Sequence, residues 1–439
     1  MSEYQGYWLE DVGAFSAYPT FAGERKTDVC IIGAGFTGLS TAIHLKEKDP
    51  SLDVAVVESG SVGSGASGRN AGFSMRLFGV SMDITRLRHG KQRTKEADAY
   101  MMDAVDYLEK MIARHRIDCD YVRDGMMTVA ANAQQLKKLE KEMKLIDEMG
   151  LTGFQWLDKQ ETQRLVYSPA YLAARYDEYC ALLHPAKLVK GLAKTAEQLG
   201  VKIYENTAVL HVDKREKKVV AKQGEIRAEK ILFAANAYSS FYPKLKRKQI
   251  PIYTYITLTE PLSEQQLKSL NWEKRIGVED FRNFLHYYRL TPDRRLLFGG
   301  GEAFYYYGSP LDRSRNEQMN AQLQQTAIET FPQLDGIQFT HHWGGPISAS
   351  LDFIPTIGNF GEDVWFSIGC MGHGVSLTNY NGLTLSELML GEESKRTDFF
   401  IVQRRILSLP PEPLRYAIVS GIRAALRHED KKGQNKPKQ

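Results

Sequence analysis

Hydrophobic and polar positions alternate between two periods along this chain. Asp28-Val-Cys-Ile-Ile32 carries four apolar residues in succession, the pattern of a short strand buried on both faces. Phe36 to Lys48 then spaces Leu39, Ala42, Ile43 and Leu45 along one side of a helix. Asp53-Val-Ala-Val-Val57 repeats the buried-strand pattern. The helical period returns over Asp83–His115 and over Gln134–Met149, with a strand–turn–strand pattern over Asp120–Ala130 around Asp124-Gly125. Tyr253–Thr259 alternates like a strand, and His286–Leu290 and Arg295–Phe298 suggest further antiparallel strands, broken at Thr291-Pro-Asp-Arg294. Glu317–Thr330 reads as a helix that stops before Phe331-Pro332. Val364–Ile368 reads as a strand, followed by a glycine-rich turn and a helix over Val375–Leu390.

The chemistry lies where strand gives way to helix. Gly33, Gly35 and Gly38 form G-x-G-x-x-G directly after the first strand. The first glycine allows the tight turn, the second a close approach of backbone to a pyrophosphate, and the third close packing of helix on strand. With Ala34 and Thr37 they present unpaired N–H groups and a positive helix end to phosphate. Glu58 ends the second strand at about the ~20-residue offset of a carboxylate that bonds a ribose hydroxyl. A tight turn without a ligand is the plain alternative. An S-adenosylmethionine site fits less well, because the third glycine and Glu58 suit a dinucleotide. Ser59–Phe73 is rich in glycine and serine and contains Arg69 and Asn70. Such a loop suits an extended ligand that continues beyond the ribose, FAD rather than NAD, although a flexible linker has a similar composition.

These motifs resemble the D-amino-acid-oxidase-type FAD oxidoreductases, and within them the γ-glutamylputrescine oxidase branch of bacterial amine oxidases. The resemblance runs through GASGRNAGF (Gly65–Phe73), HPAKLVKGLAKTAEQLGVKIYENTAVLHV (His184–Val212), ILFAANAYSS (Ile231–Ser240) and WFSIGCMGHGVSLTNYNGLTLSEL (Trp365–Leu388). It implies an α/β plus α+β chain, with a Rossmann-like FAD-binding domain of the glutathione-reductase type and a discontinuous substrate domain built on an antiparallel sheet. The implied boundaries are an aromatic arm over 1–26 (Tyr4, Tyr7, Trp8, Phe15, Tyr18, Phe21), FAD-binding segments 27–90, 184–245 and 345–395, substrate segments 91–183 and 246–344, and a C-terminal helix and disordered tail over 396–439, with disorder expected from Lys431 to Gln439. The implied FAD contacts add Ser59, Ser64, Ala66, Ser67, Arg69, Asn70, Ala71, Gly72, Val209, Ala235, Asn236, Gly372, His373, Gly374, Val375 and Ser376.

The implied activity is oxidation of a C–N bond in a secondary or γ-glutamylated amine or amino acid, by hydride transfer to flavin N5 with oxygen as acceptor. A dehydrogenase feeding a quinone or protein carrier and a non-catalytic FAD-binding scaffold are the other readings. Tyr253, Tyr255, Tyr287, Tyr288 and Trp343 are candidates for an aromatic cage round the amine. Of these, Tyr255 and Trp343 are expected to act with His373 in catalysis, and Ser348 is a further candidate beside Trp343. Adjacent His341 and His342 on a strand point to opposite faces and make no metal pair.

The sequence departs from sarcosine oxidase-like relatives. Ser376 replaces a carboxylate-binding lysine and Leu297 stands near the oxygen-activating one. Asn70 replaces the histidine that carries covalent flavin in dimethylglycine dehydrogenase-like enzymes, and Cys370 lies outside the attachment segment of sarcosine oxidases, so the expected FAD is non-covalent.

Composition changes little in this picture. A formal charge of +4 over 439 residues indicates no nucleic-acid partner. Cys30, Cys119, Cys180 and Cys370 are too scattered for structural zinc or a C-x-x-C pair, and fit a reduced, cytoplasmic setting. No secretory signal and no apolar run long enough to span a bilayer is visible. The basic helix after Pro410-Pro-Glu-Pro413 is expected to pack on the body rather than to foot on a membrane. Oligomeric state is left open.

Overall fold

The computed structural model describes residues 6–13, 17–79 and 81–434. Tyr4 and Phe15 of the aromatic arm, and the end of the tail, lie outside the described residues.

Two eight-stranded sheets organise the chain. The first runs Thr356–Asn359, Val364–Ile368, Gly224–Phe233, Gly23–Ile32, Val54–Val57, Lys202–Tyr204, with Lys218–Ala221 and Val209–Asp213 appended as a meander. Its central pairs are parallel. The strand expected over Asp28–Ile32 begins at Gly23, because its polar first half pairs in register with Gly224–Ala228. Parallel neighbours need crossovers, and Phe36–Lys48 and Pro185–Gln198 supply two of them.

The second sheet runs Phe339–Ala349, Ile250–Pro261, Arg295–Phe304, His286–Leu290, Gly277–Asp280, Met126–Ala130, Ala173–Asp177, Phe154–Leu157. It is antiparallel except where Gly277–Asp280 meets Met126–Ala130 in parallel, so the expected antiparallel sheet is a mixed one. That exception joins strands distant in sequence, which no hairpin pattern could signal. The edge strand Phe339–Ala349 also continues past 345, where the FAD-binding segments were expected to resume.

Helices follow their predicted spans closely: Phe36–Lys48, Ala133–Met149, Glu317–Thr330 and Gly374–Leu390. Asn132 and Asn316 cap two of them with side-chain oxygens. Three expectations are corrected. Met82–His115 is interrupted at Gly90, where φ of 78° breaks the helical ladder. Asp120–Ala130 forms one strand, Met126–Ala130, and an isolated bridge from Val122 to Leu182 instead of a hairpin. The C-terminal helix runs Leu414–Gln434, so Lys431–Gln434 is helical where disorder was expected. Arg423 and Arg427 hold this helix to Glu302. Among the described residues no helix is long and apolar enough to cross a membrane.

Candidate cofactor cavity

A cavity with about 1370 Å³ of empty space, partly open to solvent, lies at the C-terminal ends of the first sheet's strands. Its floor is the glycine turn. Gly33 has φ of 113°, and a Cβ there would lie 2.8 Å from the Ala234 carbonyl oxygen. At Gly38 a Cβ would stand 2.0 Å from the Gly33 oxygen, so only glycine lets the helix sit this close to its strand. Gly35 caps Phe36–Lys48, and its Cα faces the Ser67 hydroxyl, which accepts from Phe36 N–H at 3.0 Å.

A second helix, Gly374–Leu390, brings its own N-terminus to the same cavity through Gly374, Val375 and Thr378. Two helix N-termini therefore contribute partial positive charge to one space. The helices touch closely: Ser40 Oγ donates to Asn379 O at 2.7 Å, and a Cβ on Gly382 would meet Ser40 Cβ at 2.6 Å. Glu58 borders the cavity from the end of Val54–Val57 and accepts from Ala34 N–H at 3.0 Å and Gly60 N–H at 2.9 Å. Burial pushes its carboxyl upward against the pull of those bonds. A bare glycine turn, two positive helix ends and a carboxylate at one rim form a cradle that fits a dinucleotide.

The expected contacts divide into two groups. Gly33, Ala34, Gly35, Thr37, Glu58, Ser59, Ala66, Ser67, Asn70, Val209, Ala235, Asn236, Gly372, Gly374 and Val375 line the cavity. Gly38, Ser64, Ala71, Gly72, His373 and Ser376 do not, and Arg69 lines a smaller side pocket with Tyr238 and Tyr253. Several of these act behind the lining. Arg69 Nε donates to Ser64 O at 2.7 Å, and Gly72 N–H to Asn70 Oδ1 at 2.8 Å, which fixes the loop. Ser376 Oγ donates to Met75 O at 3.3 Å.

His373, expected in catalysis, holds Gly79 O through Nδ1 at 2.9 Å, and burial pushes its pKa down to about 4. It is a neutral turn residue, and its ring is absent from the cavity wall.

The aromatic cage is not assembled. Tyr255 pairs with Gly344, whereas Trp343 pairs with Ile256, so Tyr255 and Trp343 project from opposite faces of the same sheet. Tyr253, Tyr255 and Tyr288 enter one core cluster, and Trp343 with Tyr287 another. Tyr255 OH bonds Tyr306 OH at 2.8 Å and donates to Arg313 O at 3.1 Å. Trp343 is fully buried and donates from Nε1 to Arg69 O at 2.8 Å, bracing the loop from behind. Ser348 is likewise buried, between Gln249 and Gly369 N–H.

Residues missed by sequence include Tyr238, Leu311, Pro346, Ile347 and Cys370 in the wall. Tyr238 sat within a quoted motif, but Leu311 lies in an irregular segment that carries no periodic signal. Arg289 was missed as well. It is fully buried and donates from Nη1 to Leu183 O at 2.7 Å, Ala71 O at 3.1 Å and Gly72 O at 3.3 Å.

Comparison with known proteins gives the cavity a context. Residues 28–388 match the family model described as DAO, FAD dependent oxidoreductase. The chain is 32% identical over 397 residues to gamma-glutamylputrescine oxidoreductase of Escherichia coli (strain K12), covering 90% of each chain. Glycine oxidase from Geobacillus kaustophilus superposes with a TM-score of 0.70 at 20% identity, covering 87% of this chain and all (100%) of that one. L-proline dehydrogenase from P. horikoshii superposes at 0.68 with 18% identity, covering 85% and 95%.

Proposed function

The chain belongs to the DAO family of FAD dependent oxidoreductases, and from that premise we propose that it oxidises a C–N bond in a secondary or γ-glutamylated amine, with non-covalent FAD and oxygen as acceptor. The observation that carries this reading is the single cavity in which the glycine turn, Glu58 and two helix N-termini meet. The 32% identity to a gamma-glutamylputrescine oxidoreductase over 90% of the chain supports an amine as substrate.

FAD, when bound, supplies the acceptor for the hydride that leaves the carbon beside the amine nitrogen. The protein's part is to hold, orient and exclude water. Gly33, Gly35 and the N–H groups that open Phe36–Lys48 would take the pyrophosphate, and Glu58 a ribose hydroxyl. The N–H groups of Gly374 and Val375 would favour negative charge at the other end of the cofactor. Tyr238, Leu311, Pro346 and Ile347 wall the cavity on the side of the second sheet. The amine must arrive neutral to release hydride, and His373, itself neutral near pH 7, adds no positive charge against it. Non-covalent attachment is supported by Asn70, whose side chain is used to bond Ala66 O, Ser67 O and Gly72 N–H within its own loop.

A dehydrogenase that hands electrons to a quinone or protein carrier is the second reading. It is favoured by Leu414, Ile418 and Ile422, which stand exposed along one side of the C-terminal helix.

Anaerobic titration of the flavin absorbance with secondary and γ-glutamyl amines tests the proposal. Bleaching by one of them is expected, with rapid recovery when air is admitted. Bleaching that air does not reverse selects the dehydrogenase. A flavin that no amine reduces rejects amine oxidation. Acid precipitation is expected to leave the yellow colour in the supernatant.

A further inference from the structure

A second cavity, partly open to solvent and with about 590 Å³ of empty space counting that opening, is lined by Met75–Phe78 and by one face of the second sheet. Its lining has no residue in common with the cofactor cavity, and hydrogen bonds join the two linings. The carbonyls of Met75 and Gly79 accept from Ser376 and His373, in the turn whose Gly374 and Val375 line the first cavity.

Strand register builds its floor. Glu279 lies opposite Thr128, and Thr128 opposite Arg175, in three neighbouring strands. Residues directly opposite share a face, so these three side chains project together, with Asp177 two positions along from Arg175. Asp98 and Glu142 reach the same space from the helices Met82–His115 and Ala133–Met149.

The charges do not balance. Two arginines and four carboxylic acids line the cavity. Arg76 binds Asp98 through two 2.7 Å hydrogen bonds, and Arg175 Nη1 lies 2.7 Å from Glu142 Oε2. Each arginine is thereby matched, and Asp177 and Glu279 are left over. Asp177 stands 3.9 Å from Arg76 and otherwise accepts from Tyr179 N–H and the Cys180 thiol. Glu279 accepts from Thr128 Oγ1 at 2.9 Å and, among the described residues, forms no ion pair; Arg175, paired with Glu142, acts on it only from a distance. Both are less than a tenth exposed, and burial pushes both carboxyls upward. A buried carboxylate without a matched cation is unfavourable, and a ligand that brings the cation relieves it.

The ligand's chemistry follows from the remaining walls. Among the described residues no group of three or more His, Cys, Asp or Glu is placed to hold a metal ion, so the fitting cation is organic. Met75, Leu77, Phe78 and Met126 supply an apolar lining suited to methylene carbons.

We propose that this cavity is a cation subsite in which Glu279 receives an aliphatic ammonium group, at the end of the substrate remote from the C–N bond that is oxidised. Asp177, on the strand beyond Thr128, adds to the negative field. The assignment rests on the amine reading given above and narrows it to amines carrying a second positive group.

Isothermal titration of the FAD-loaded protein at pH 8 with 1,4-diaminobutane and with butylamine tests it, because the two probes differ only in the second ammonium. The wild type is expected to bind the diamine at least tenfold more tightly. Glu279→Gln, which keeps an oxygen for Thr128, is expected to bring the two probes within about twofold while leaving butylamine unchanged. Asp177→Asn is expected to shift the ratio in the same direction by a smaller factor. Equal binding of both probes to the wild type, or equal weakening of both by Glu279→Gln, overturns the subsite. Failure of the subsite and failure of the amine reading are separable. A diamine preference without flavin bleaching upholds the subsite alone, and bleaching by amines without a diamine preference overturns the subsite and leaves the oxidation intact.

Discussion

Arg289 shows how one side chain can set the shape of a cofactor loop. It stands in His286-Tyr-Tyr-Arg-Leu290, where alternation puts it on the face of Tyr287, away from Tyr288. That face is buried against Trp8 of the N-terminal arm, whose ring lies 5.4 Å from the guanidinium. With four backbone carbonyls for partners, those of Ala71, Gly72, Leu183 and Leu290, and no carboxylate among the described residues, burial pushes its pKa down to about 9. The loop has grown round it: a Cβ on Gly72, where φ is 77°, would meet Leu183 O at 2.1 Å and Arg289 Nη1 at 2.6 Å. Arg289→Met removes charged hydrogen bonds and leaves buried carbonyls unpaired, a loss of about 3 kcal/mol by the usual cost of such groups. Denaturant unfolding is expected to register that loss, and the flavin-to-protein ratio after gel filtration is expected to fall. An unchanged ratio would detach Arg289 from the cofactor loop.

At the scale of elements, the two helices that aim at the cofactor cavity are held by their crossing at Ser40 and Gly382. Gly382→Ala would place a methyl 2.6 Å from Ser40 Cβ and 2.9 Å from Thr41 N, so the helices must separate. Overpacking of this kind costs about 1–3 kcal/mol. The Kd for FAD is expected to rise severalfold with it, as measured by quenching of flavin fluorescence, because the two N-termini would no longer converge. Ser40→Ala, which loses one hydrogen bond and opens space, is expected to do less.

The elements themselves were legible in the sequence. Helical spacing, Asn132 and Asn316 at N-caps and Pro332 as a stop fix the spans, and the glycine turn names its own ligand class. The cage was not legible, because alternation tells which strand residues share a face but not which face meets the cavity. Tyr255 and Trp343 look alike as sequence and are sent to opposite sides by the pairing of Ile256 with Trp343. Nor was the acidic floor legible: Thr128, Arg175 and Glu279 come from three distant strands, and Met126–Ala130 meets Gly277–Asp280 through a parallel pairing without a local signal.

For the whole molecule, that floor makes stability depend on pH. Burial pushes Glu279 up to about 7; Arg175 and Thr128 pull against it, and Glu142 and Asp280 add to it. Arg76, Asp98, Asp177 and Cys180 face the same cavity. The sign follows from comparing the two states. An unfolded glutamate gives up its proton near pH ~4.3, whereas the folded one keeps it until about 7. Between those values the folded state binds more protons, so its advantage shrinks as pH rises and the penalty is complete above pH 7. At 1.36 kcal/mol per unit the full penalty is about 4 kcal/mol. Glu279→Gln removes it. The variant is therefore expected to melt with the wild type near pH 4.5 and above it at pH 8.5, the gap opening through the interval between. Adding 1,4-diaminobutane at pH 8.5 is expected to raise the wild type toward the variant, because a bound ammonium offsets the same buried charge that the amide abolishes. A gap that is constant with pH would mean that Glu279 is already ionised and matched within the fold, and the cavity would then have no charge to offer a ligand.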